Sequence, residues 1–119
     1  MYVQISATFA CVPAGIYRIV WQLYLTAETA GLRDLILRST MYQRKDTTHR
    51  CQYDYRPTEN HLLRLPKGQV VDLAMPQPIM VLPEHEYASV MAEVLSAGFN
   101  WKSNVSFVTV RFETIEATL

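Results

Sequence analysis

The sequence has little of what marks an extreme class of protein. It holds two cysteines, four glycines and six prolines, and charged residues occupy only 18% of its 119 positions. Two cysteines cannot supply the disulfide framework of a small secreted scaffold, so the fold must rest on its own core. A chain of this length buries roughly 65% of its unfolded surface, enough for that purpose. The glycines and prolines gather into no low-complexity tract, linker or repeat. Low charge together with 50% apolar residues excludes a disordered chain. The 11 basic and 11 acidic side chains cancel, which removes any general steering toward nucleic acid or anionic membranes.

Long apolar runs are also missing. The nearest approach to one, at the N-terminus, is broken by Gln4, Ser6, Thr8, Pro13 and Gly15. The first basic residue is Arg18, whereas a secretory leader places its basic residues ahead of its apolar stretch. The expectation is a soluble, cytoplasmic, single compact domain over residues 1–119, with no membrane contact. Cys11 and Cys51 are then expected to be free thiols.

Catalytic signatures are absent too. There is no Walker lysine loop, no dinucleotide glycine fingerprint, no Gly-x-Ser-x-Gly elbow and no His-Glu-x-x-His helix. His49, Cys51 and His61 share one stretch, but no paired Cys-x-x-Cys accompanies them, so no metal is expected and no cofactor is implied. Cys51 with His49 or His61 is the one nucleophile–base pairing on offer, with Asp54 or Asp72 to orient the base. It motivates a third-ranked reading, a small enzyme without a local motif.

What is present is alternation. Residues 2–10 place Val3, Ile5, Ala7 and Phe9 on one side and Tyr2, Gln4, Ser6 and Thr8 on the other, a half-buried strand. Pro13-Ala14-Gly15 makes a turn. Residues 16–26 give a second strand with Tyr17, Ile19, Trp21, Leu23 and Leu25 on its core face. Residues 32–44 fit both periods; Gly31 and the aromatic and β-branched content favour a strand. Residues 50–56 alternate Cys51, Tyr53 and Tyr55 with Gln52, Asp54 and Arg56. These four strands are expected to form an antiparallel meander. After a turn at Pro66-Lys67-Gly68, Gln69–Met75 reads as a strand ended by Pro76 and Pro78, and Ile79–Leu82 as a short one.

The spacing predicts a helix over 84–97. Pro83 suits a first helical position, Glu84 and Glu86 suit the positive end of the dipole, and Gly98 suits the stop. Tyr87, Val90, Met91, Val94 and Leu95 make one stripe at helical spacing. A core-facing stripe accounts for it, and the segment carries no Lys or Arg for anionic lipid. Asn104–Phe112, apolar on both faces, reads as a central strand. The expected fold is α+β: a mostly antiparallel sheet, a meander in its first half, with one amphipathic helix near 84–97 packed on it.

The balanced charge hides an asymmetry. Residues 33–67 hold eight basic and four acidic side chains, a balance of +4; residues 68–119 hold two and six, a balance of −4. Tyr42, Arg44, Lys45, Arg50, Tyr53, Tyr55 and Arg56 lie in the basic part and are the candidate binding residues. Tyr and Arg are enriched at protein interfaces, and two-signed charge suits a complementary partner or self-association. The leading expectation is a non-enzymatic protein-interaction module, of inhibitor or adaptor type, that binds another protein or itself as a homo-oligomer. The alternative is a single-stranded nucleic-acid-binding protein, in which tyrosines on the basic hairpin stack on bases and guanidinium groups follow phosphates. A plainer reading makes Cys51, Tyr53 and Tyr55 the core face of a strand and the arginines its solvated face.

Overall fold

The computed structural model describes residues 2–25, 35–42, 50–85, 88–96 and 105–116. It is a β-sandwich. The strands are β1 (Tyr2–Val12), β2 (Gly15–Leu25), β3 (Leu35–Tyr42), β4 (Arg50–Tyr55), β5 (Val70–Ala74), β6 (Ile79–Val81), β7 (Ala88–Ser96) and β8 (Val105–Glu116). A short helix, α1 (Glu59–Leu63), joins β4 to β5, and a 3-10 turn at Pro83–His85 precedes β7. All strand pairs are antiparallel. One sheet has the order β1-β7-β3-β4. In the other, β2 is central, with β8 along one side and β5 and β6 in line along the other.

The two sheets share one core. Alternate residues of β2 point into it: Tyr17, Ile19, Trp21, Leu23 and Leu25 are all 5% exposed or less. Leu35, Leu37 and Met41 of β3 and Ala88, Val90, Ala92 and Val94 of β7 meet that face from the other sheet. Burying a Val, Leu or Ile side chain stabilises by about 1.5–3 kcal/mol, and this interleaved layer holds the sheets together. Tyr17, Ile19, Trp21, Leu23 and Leu25 are the core face that alternation predicts.

The expected helix at 84–97 is not formed, and the α+β class is overturned. Pro83 opens a 3-10 turn of three residues, and the apolar stripe continues as strand β7. Val90, Met91, Val94 and Leu95 satisfy either period, because adjacent apolar pairs spaced by two polar or small residues fit a helix face or a two-sided strand. The structure resolves the ambiguity through Ala88, Val90, Ala92 and Val94, which alternate into the core. β7 is hydrogen-bonded on both sides, to β1 and β3, and on its second face Leu95 is 1% exposed while Ser89, Met91 and Glu93 are partly buried. β-branched valines fit that environment better than a helix. Tyr87 and Gly98 of the expected helix lie outside the described residues.

The expected meander is corrected as well. β1 and β2 follow each other through Pro13 and Ala14 but lie in different sheets. Among the described residues only β3 and β4 form a hairpin of sequence neighbours, with Leu37 opposite Tyr55 and Tyr42 opposite Arg50. The last strand is not central: among the described residues β8 pairs with β2 alone. Helix α1 was not foreseen. Thr58 caps it, its hydroxyl accepting from the His61 N–H at 3.1 Å, and Leu62 plugs the core at 0% exposure. Gly68, with φ +74°, makes the turn into β5 in a conformation that favours glycine.

Candidate functional site

The hairpin of β3 and β4 carries the sequence candidates that the structure describes. β4 is the outermost strand of its sheet, and among the described residues nothing pairs with its outer side. Tyr53 and Tyr55 stand opposite Ser39 and Leu37 on the core-facing side. They differ in burial. Tyr55 packs against the core, whereas Tyr53 is 36% exposed. Cys51, on the same side, is exposed and free. Tyr42 belongs to the opposite face, at the register position across from Arg50. Arg56 follows the strand and is exposed. Arg44 and Lys45, like His49, lie outside the described residues.

Behind the edge, on the outer face, Arg38 grips Asp54. The guanidinium donates twice to the carboxylate, at 2.7 and 3.0 Å, and both side chains are about three-quarters covered. Hydrogen bonding from Arg38 holds the Asp54 carboxyl below the usual carboxylate range, against the opposing effect of burial. The same contact raises the arginine's pKa. Asp54 is thus a fixed, ionised acceptor along the strand edge. Its oxygens can accept more than two hydrogen bonds.

The register of each edge strand separates β4 from the rest. β3–β4 pairs run without interruption from Leu37↔Tyr55 to Tyr42↔Arg50. β1, the other edge of that sheet, has two irregularities against β7, between Val3 and Ile5 and between Phe9 and Val12. β8 has two against β2, which leave Val108 and Ile115 without ladder partners. Those bulged residues are 52% and 48% exposed. The β5–β6 edge is broken by residues 75–78, with prolines at 76 and 78. Bulges, short strands and prolines are the usual devices that stop an edge from pairing with a foreign strand. β4 is short, at six residues, but it has no bulge and no proline.

A second feature lies at the end of the sandwich where β1 crosses to β2. Phe112 stacks with Phe9 at 4.9 Å and with Tyr17 at 4.6 Å between ring centroids. The Tyr17 hydroxyl donates to the Pro13 carbonyl at 2.6 Å, and burial raises its pKa. These rings and Cys11 line a shallow groove of about 400 Å³. Cys11 has φ +56°, left-handed and uncommon for a residue with a side chain, at the second bulge of β1. Sequence reading missed this cluster. Phe9 and Phe112 are brought together only by the fold, and nothing around Cys11 signals its backbone.

The remaining chemical candidates are dispersed. Asp54 and Cys51 occupy opposite faces of β4, as alternation requires. Asp72 is in the other sheet and engaged by Arg111 at 2.7 Å and Gln22 at 3.2 Å, which hold its carboxyl below the usual range. Neither carboxylate is therefore placed to orient a base for Cys51. Among the described residues no group of three His, Cys, Asp or Glu side chains could hold a metal, and no helix is long and apolar enough to cross a membrane.

These features define a mostly antiparallel β-sandwich in which, among the described residues, one strand edge is free of bulges and breaks. In comparisons with protein-family models, curated proteins and solved structures, none matches the chain.

Proposed function

We propose that this domain is a non-enzymatic interaction module, of inhibitor or adaptor type, that accepts an extended strand of another polypeptide along β4. One observation carries the reading: β4 is the edge whose register is unbroken, while every other described edge is interrupted. A strand added there gains main-chain hydrogen bonds, and side-chain contacts give it specificity. Tyr53 supplies an exposed ring for such contacts, and rings of this kind anchor interfaces at low entropic cost.

The nucleic-acid reading receives less support from the same geometry. Tyr42 and Tyr53 are on opposite faces, Tyr55 is packed on the core, and Arg38 is engaged with Asp54. One free ring remains where a stacking platform needs several.

The test is hydrogen exchange read on β4 in the presence of peptides selected from a displayed library of extended sequences. Bound peptide should slow exchange across residues 50–55 and leave β8 unchanged. Tyr53→Lys should weaken binding about tenfold and reduce the protection accordingly while the protein stays folded. Selected peptides that protect β8 or the Cys11 groove instead would overturn the reading. So would salt-sensitive binding of labelled single-stranded DNA or RNA that Tyr53→Ala removes, in the absence of any peptide effect.

A further inference from the structure

The β4 edge is complementary to itself. We propose that its occupant is a second copy of this chain, joined antiparallel to β4 about a two-fold axis through Gln52; this rests on the reading of β4 as the interaction edge. A two-fold axis perpendicular to the sheet keeps each face of the hairpin on the same side in both copies, so opposed positions must share a face. With the axis at Gln52, that residue meets its own copy. Arg50 then falls opposite the partner's Asp54, and Cys51 opposite the partner's Tyr53, each twice by symmetry.

Charge chooses this register over its neighbours. Opposite charges across a strand pair stabilise, and like charges directly opposed destabilise. Moving the axis one residue on, to Tyr53, sets Arg50 against Arg56. Moving it one residue back, to Cys51, pairs only residues 50–52 of β4. The Gln52 axis pairs residues 50–54, four of which are exposed in the single chain. Asp54 is held ready by Arg38 with acceptor capacity to spare for the incoming arginine. The two four-stranded sheets join into one of eight, and each copy covers the other's unprotected edge.

Cysteine cross-linking reads the register directly. In a Cys11→Ser/Cys51→Ser background, Gln52→Cys places two thiols at opposed positions. Their Cα atoms would lie about 4.5–5.5 Å apart, within the span of about 4.4–6.8 Å that a disulfide bridges. Mild oxidation should give a covalent dimer of Gln52→Cys and not of Tyr53→Cys in the same background. Arg50→Glu, without added cysteines, should weaken dimerisation about tenfold in sedimentation equilibrium, through two reversed charge contacts. Efficient cross-linking of Tyr53→Cys instead overturns the Gln52 axis. A chain that stays monomeric and uncross-linked, while selected peptides still protect β4, overturns the second copy and leaves the interaction edge standing. A monomer whose β4 amides are protected by nothing overturns both.

Discussion

Strand β8 is twelve residues long and bulged twice; strand β4 is six residues long and regular throughout. Both lie at the margin of a sheet, and both present unpaired backbone groups among the described residues. The long one looks the more dangerous template, yet its ladder is offset at Val108 and again at Ile115, so a straight strand laid along it meets a bulge at either end of Thr109–Thr114. The short one offers a continuous row. On the reading proposed above, straightness rather than exposure is what makes an edge adhesive.

The largest effect expected concerns the support under β4. Leu37 is fully buried beneath the hairpin, opposite Tyr55. Leu37→Ala should cost about 2–5 kcal/mol in urea unfolding, against a smaller loss for Val110→Ala, whose side chain in β8 is only partly buried. Next, deleting Val108 should straighten β8, because the residues flanking it already alternate correctly against Gln22 and Leu23. That variant gains a second straight edge, and on the proposed reading light scattering should rise with concentration beyond the dimer. Tyr53→Lys should weaken association about tenfold in sedimentation, by a charge placed on the straight edge, whereas Val108→Lys on the bulged edge should leave it unchanged.

Smaller effects compare the two ion pairs. Asp54→Asn removes the more covered pair and should cost up to about 1 kcal/mol. Its pKa is depressed in the folded state, so its contribution is complete above the unfolded carboxylate pKa of about 3.9 and fades as the pH falls through the lower folded value. Thermal unfolding of Asp54→Asn and the parent should therefore converge at the acid end. Arg111 and its partners Asp72 and Glu113 are each over 40% exposed. Arg111→Ala should shift the melting midpoint least of all, and high salt should erase what difference there is.

Much of the strand layout was legible because period-2 alternation is local. The core face of β2, the strand character of Leu35–Tyr42 and the β3–β4 pairing could be read from residues close together in the chain. The β7 segment was not, since its apolar residues satisfy two periods and only neighbours on both sides decide between them. Sheet membership was equally hidden: β1 finds β7, and β2 finds β8, across most of the sequence. The basic, tyrosine-bearing hairpin was visible as composition. What makes its edge distinctive was not, because a bulge exists only relative to the partner strand. The left-handed backbone of Cys11 has no residue-type signal at all.

The pairing scheme also sets an order of events. β1 and β2 are made well before their ladder partners β7 and β8. Contacts between distant segments form slowly, so β1 must wait for β7, while β2 can pair with β5 and β6 before β8 is made. The β3–β4 hairpin needs no such delay. The earliest local structure available to the nascent chain is therefore also the one with the straight edge.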